Sequence, residues 1–259
     1  MKTTALTLAL LACSGSAFAQ SAPAPGPWSV GVGAAIIDSP YAGEGSRVRP
    51  FPMISYEGER VFLRGISGGV HLYQSGGFTL DAIASARLHG FDIDDLGSAE
   101  LRANGVDAAL LRDRHDSLDA GLRASFGAGW GTLSLEAVHD IGDTSDGYEV
   151  SLDYRYMWRF DRSTLTANLG ASRMSSGLTG YYFGILDEEI ARGVIAYTPG
   201  AAVVPKIGLT TTRALGASQW TLIGAFEYQF LPDVLRDSPL LDAERNGAGR
   251  IVLGVSRRL

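Results

Sequence analysis

The sequence predicts an all-β protein: a transmembrane, antiparallel, up-and-down β-barrel of twelve strands, or of ten if the weak segments between residues 60 and 77 do not form. Three observations lead there. Segments of about ten residues alternate apolar and polar side chains along the whole chain, with turn residues between them, which is the pattern of strands with lipid on one side and a polar interior on the other. No run of about eighteen apolar residues occurs, so no helix can span a bilayer. The first residues have the form of a secretory leader.

Residues 1–19 read as that leader, with Lys2 as the positive start, residues 5–12 as the apolar run and Ala17, Phe18 and Ala19 as the small-x-small cleavage site. Residues 20–259 are then the barrel. Leu10, Leu11, Ala12 and Cys13 also resemble a lipoprotein cleavage box, a rival reading of the same stretch. Cys13 is the single cysteine, so a chain cut after Ala19 has no disulfide. Export without disulfides suits a fold closed by backbone hydrogen bonds.

The clearest strand is 148–158. Val150, Leu152, Tyr154, Tyr156 and Trp158 form one face, and Glu149, Ser151, Asp153, Arg155 and Met157 the other. The strands before it are expected near 28–37, 49–56, 60–65, 69–73, 78–88, 118–126 and 132–137. Those after it are expected near 165–171, 203–212, 220–230 and 250–258. With the N-terminus on the periplasmic side, the even-numbered connections are short turns at 57–59, 74–77, 127–131, 161–163 and 215–218, while the long loops all fall on the other end. That asymmetry belongs to outer-membrane barrels, whereas a soluble barrel has no reason to sort its loops in this way.

Asp81, Arg87, Asp119, Arg123, Glu136, Asp153, Arg155, Lys206 and Glu227 collect on the polar, lumen-facing side. Such residues either line a water-filled path, where rings of charge set ion preference, or pair across strands and fill the interior. Mixed signs and a strand count well below the roughly sixteen to eighteen of open porins favour the filled interior.

Other constellations are weaker. His115 and Ser117 stand two apart, as a base and a nucleophile could, but without a glycine-framed oxyanion site or a third partner. Asp92, Asp94 and Asp95, and Asp140, Asp143 and Asp146, do not complete a calcium loop and read as solvated loop charge. The four histidines are scattered, so neither a metal nor a cofactor is assigned. Net charge is −6 and no basic patch is present, which excludes a nucleic-acid partner.

Tyr181, Tyr182, Phe183, Gly184 and Ile185, then Glu188, Glu189, Ala191 and Gly193, then Ala196, Tyr197, Thr198, Pro199 and Gly200 resemble the MipA/OmpV family of outer-membrane proteins in content and order. Arg47 to Pro52 and the Asp237, Ser238, Pro239 segment resemble its terminal segments. In one departure, this chain ends Ser256, Arg257, Arg258, Leu259 where such barrels end in an aromatic residue. The resemblance implies an outer-membrane barrel in contact with outer-membrane lipid. For the family's namesake it also implies a scaffold that holds a lytic murein transglycosylase near a penicillin-binding protein.

Residues 187–193 are expected to form a helical turn or two, with Glu188, Glu189 and Arg192 exposed and Ile185, Ile190 and Ala191 packed inward. The resulting expectation is a non-enzymatic envelope scaffold. A narrow channel for small solutes is the alternative, and a lipid hydrolase built on His115 and Ser117 the remote one.

Overall fold

The computed structural model describes residues 26–216 and 218–259, so the leader and Cys13 lie outside the described residues. Twelve strands close into one antiparallel barrel in plain sequence order. They are β1 (Trp28–Asp38), β2 (Ser46–Glu57), β3 (Val61–Arg64), β4 (Ser67–Ser75), β5 (Phe78–Arg87), β6 (Ser117–Ala128), β7 (Gly131–Asp140), β8 (Tyr148–Arg159), β9 (Ser163–Met174), β10 (Ala202–Ala214), β11 (Trp220–Phe230) and β12 (Gly247–Arg258). β1 pairs with β12 from Ser29↔Arg258 to Asp38↔Gly249, so the sheet keeps no free edge and every strand has two neighbours.

The ten-strand alternative is excluded because β3 and β4 both form. They were hard to read for a physical reason. β3 has 4 residues, and β4 carries a bulge between His71 and Tyr73 that leaves Leu72 and Tyr73 both exposed, which breaks the two-residue period. Gly76 and Gly77, at φ 58° and 84°, make the two-residue turn that joins β4 to β5.

The outward face is apolar along every long strand, with Val32, Ile36, Leu122, Leu135, Leu152, Leu169, Leu209 and Leu253 exposed. Aromatic side chains gather at the short-turn end. Trp28 meets Tyr56 at 4.8 Å, Trp130 lies between Phe126 and Tyr154 at 6.0 and 6.1 Å, and Tyr156 meets Trp158 at 4.9 Å. Amphipathic rings at one rim of an apolar band mark the level of the lipid headgroups.

The apolar core sits mainly outside the barrel wall. The long connections contain α1 (Ser98–Ala103), α2 (Ser176–Phe183), α3 (Asp187–Ile190) and α4 (Asp233–Arg236). They pack Tyr41, Phe91, Leu101, Leu178, Leu235 and Leu240 into the largest buried cluster, a cap over the long-loop end. Within the barrel, Phe51 packs with Ala35 and Val252, and Phe62 with Ile83 and Val138. Glycines directly opposite them on the neighbouring strands, Gly33 beside Phe51 and Gly69 beside Phe62, make room for them. A Cβ on Gly33 would lie 2.9 Å from the Phe51 ring, and one on Gly69 2.7 Å from the Phe62 ring.

Candidate functional site

The cap is locked by one buried ion pair. Arg114 stands just ahead of β6, where its backbone bridges to Phe91, and Glu189 lies in α3. Both side chains are 0% exposed. The guanidinium grips the carboxylate with two 2.8 Å bonds, Nη1 to Oε1 and Nη2 to Oε2. Its other N–H groups donate to the carbonyls of Tyr181 (2.7 Å), Arg112 (2.6 Å) and Gly184 (3.2 Å). Glu189 also accepts the backbone N–H of Arg112 and of Leu186, each at 2.8 Å. All five donors and both oxygens are thus satisfied, the condition under which a charge pair can be buried without water.

Sequence spacing placed Glu189 on an exposed face and Ala191 inside, and the structure reverses both. Glu189 turns inward because α3 is a single short turn whose N-terminal N–H groups it caps, and Ala191 is exposed on the far side. Glu188 does stay exposed, and its bond to Arg112 holds its carboxyl below the usual range. Ile185 is buried and Ile190 packs against the cluster.

The aromatic motif lies on α2 and the turn after it, so it is helical rather than an open loop. Tyr181 accepts the His115 N–H on its hydroxyl at 2.9 Å, and Tyr182, fully buried, donates to the His115 carbonyl at 3.1 Å. Burial pushes the Tyr182 phenol up to about 12, so it remains a donor. The Phe183 carbonyl accepts from Ser238 Oγ at 2.6 Å, and Tyr197 donates to the Val234 carbonyl at 2.8 Å. A Cβ at Gly184 would meet the Gly180 carbonyl at 2.4 Å, which explains glycine at that close approach. These residues tie the loops preceding β6, β10 and β12 to one another.

Below the cap the charged side chains form a descending ladder. Arg87 reaches Asp119 (Nε, 2.9 Å) and Glu149 (2.6 Å). Asp81 Oδ1 accepts from His71 Nδ1 at 2.6 Å, and Arg123 Nε donates to Glu136 at 2.6 Å. Lys206 pairs with Asp153 at 3.1 Å, and Arg250 with Glu227 at 3.1 Å. Arg155 differs, because among the described residues the only hydrogen bond of its side chain is from Nη2 to Ser134 Oγ at 3.4 Å. Side-chain exposure differs around the wall: 8% and 6% at Arg87–Asp119 and 6% and 4% at His71–Asp81, but 19% and 20% at Lys206–Asp153 and 38% and 30% at Arg250–Glu227.

His115 is exposed, whereas the Ser117 hydroxyl is buried and bonds to Asp119 Oδ1 at 3.4 Å, so the two do not form a nucleophile and base. Asp140 closes its own loop, accepting from the N–H groups of Gly142 (2.8 Å), Thr144 (3.0 Å) and Ser145 (2.5 Å). No metal-holding group of side chains occurs among the described residues. Arg114, the central residue of the cap, carries no sequence signal, since its partner is 75 positions away.

The chain matches the family model described as MltA-interacting protein MipA over residues 30–259. It is 33% identical to YiaT of Escherichia coli (strain K12) over 232 residues, 89% of this chain and 90% of that one. It is 29% identical to the MltA-interacting protein of the same strain over 237 residues, 91% of each chain. An outer membrane channel from Pseudomonas putida F1 is similar in structure at TM-score 0.43 and 11% identity, with 91% of this chain and 96% of that chain covered. The closed lipid-facing barrel and the match across nearly all of it place the chain in the outer membrane, as a member of the MltA-interacting protein MipA family.

Proposed function

We propose that the protein is a non-catalytic envelope scaffold that holds a murein transglycosylase and a penicillin-binding protein at the periplasmic face of the outer membrane. The observation that carries this reading is the capped outer mouth. A barrel closed outward by the Arg114–Glu189 lock and an apolar cap offers its working surface to the periplasm. The relative named for interacting with MltA supports the class of partner. Scaffolding needs only a rigid platform at a fixed height, which a barrel closed by backbone pairing supplies.

The test is retention of a purified lytic transglycosylase and a murein-synthesising penicillin-binding protein on the refolded, full mature barrel, with an unrelated barrel as control. Both enzymes are expected on this barrel alone. Equal retention on the control, or none, refutes the scaffold.

The narrow channel is the second reading, and the solvent-reached Lys206–Asp153 and Arg123–Glu136 pairs favour it. In a planar bilayer the scaffold predicts silence. Stable openings whose ion preference changes on Arg123→Ala or Asp153→Ala would establish the channel instead.

A further inference from the structure

Along β7 to β10 the periplasmic half of the lumen wall is chemically one-sided. Toward the turns from the Asp153–Lys206 pair, inward rows cross β7 to β10 through Thr132, Arg155 and Asn168, then Thr166 and Thr210, then Arg159. The remaining inward positions of those rows are Gly208, Met157, Thr164 and Thr212, so this wall holds no carboxylate. It is a surface of hydroxyls, one amide and two guanidiniums.

Arg155 stands at its head. Among the described residues no carboxylate comes within 4.0 Å of it, although Arg123, Lys206 and Arg250 around it each have one. One long bond to Ser134 leaves most of its N–H groups free of protein acceptors. Thr132, Thr166, Asn168 and Thr210 are partly exposed, while Ser151, Ser172 and Val204, farther up the same strands, are buried. The wall thus lines a recess that opens to the periplasm and is blind at the cap.

We infer that this recess binds a polyhydroxylated carboxylate of the sugar-acid class. The planar fork of Arg155 matches a carboxylate with two parallel hydrogen bonds, which an ammonium could not do. Thr132 on β7 and Asn168 on β9 flank Arg155, each one strand spacing away, about 4.8 Å, and Thr166 lies two residues along β9 from Asn168; their neutral donors and acceptors suit the hydroxyls of a sugar ring. The acids nearest the wall are already held by cations, Asp153 by Lys206 and Glu136 by Arg123. The inference is independent of whether murein enzymes dock on the barrel.

Isothermal titration of the refolded mature barrel with D-glucuronate, D-glucose and chloride tests it. Saturable one-site binding of glucuronate is expected, with no saturation by glucose or by chloride over the same range. Arg155→Gln is expected to weaken glucuronate at least tenfold with an unchanged circular dichroism spectrum. Should that variant not fold, Thr166→Val, which removes a hydroxyl and no charge, is expected to weaken glucuronate severalfold. Absence of glucuronate binding by the wild type, equal binding of glucose or chloride, or full affinity in the folded variants would overturn the assignment.

Discussion

Replacement of Glu189 by alanine should open the cap and leave the barrel intact. The side chain accepts two bonds from Arg114 and one each from the N–H groups of Arg112 and Leu186. Its removal strands a buried guanidinium, and breaking one side of a buried pair costs about 3–5 kcal/mol. The two orphaned backbone donors add about 1–3 kcal/mol each if water cannot reach them. Water will reach them once the cap loosens, so the lower figure, about 3 kcal/mol, is the expected cost, equivalent to roughly a hundredfold change in the open population. The strands keep their own ladders and should not feel it.

Hydrogen exchange read by mass spectrometry is the assay: amides of residues 88–116 and 175–201 should exchange about a hundredfold faster, with the strands unchanged. An Arg114→Met/Glu189→Met double variant, apolar on both sides, should recover much of the protection, because the uncompensated charge is gone. Wild-type exchange in Glu189→Ala would refute the lock. Equal loss of protection in the strands would refute the independence of cap and barrel.

Three further outcomes are expected. Gly121→Ala puts a Cβ 1.9 Å from the Ala137 carbonyl oxygen and should prevent assembly, read as loss of the heat-modifiable band in gel electrophoresis. Gly127→Ala, whose Cβ meets Thr132 Oγ1 at 3.5 Å and the Gly77 carbonyl at 3.9 Å, both ordinary contacts, should keep that band. Burial, and then the positive charge of Arg87, push His89 down to about 4. The unfolded chain therefore takes up the proton first, and stability that is complete above pH about 6.5 should be lost as pH falls toward 4, at up to about 1.4 kcal/mol per unit. Urea unfolding in micelles at pH 7 and 5 measures this, and His89→Gln should lose less than the wild type. Ser117→Ala should leave phospholipid turnover unchanged, and any loss of hydrolysis would revive a catalytic reading of the hydroxyl bonded to Asp119.

The barrel was legible because membrane strands obey a local rule. Alternation along β5, β6 and β8 follows from the pleat and from lipid on one side, so Leu122 and Leu152 could be told from Arg123 and Asp153 by position alone. Where the rule is broken locally the sequence blurs, as at the β4 bulge beside Leu72. Of the cap helices only α3 was expected, within 187–193; α1, α2 and α4 left no such trace. α2 buries Thr179 along with Leu178, Tyr182 and Phe183, and a helix of 8 residues whose polar and apolar side chains do not sort by face shows no period to detect.

The lock at Arg114 was invisible for a different reason. A buried charge pair is specified by two residues that meet only in three dimensions, and each alone looks like ordinary loop polarity. Glu188 and Glu189 are adjacent acids in the same short turn, yet one is exposed and the other fully buried. What separates them is the direction each side chain takes from α3: Glu189 reaches back over the N–H of Leu186, and that position also faces Arg114. Capping chemistry thus selects which acid enters the core, and the partner cation then makes its burial tolerable. Arg155 is the opposite case: with no acid within 4.0 Å among the described residues and one long bond to Ser134, most of its fork is left for a carboxylate from outside the chain.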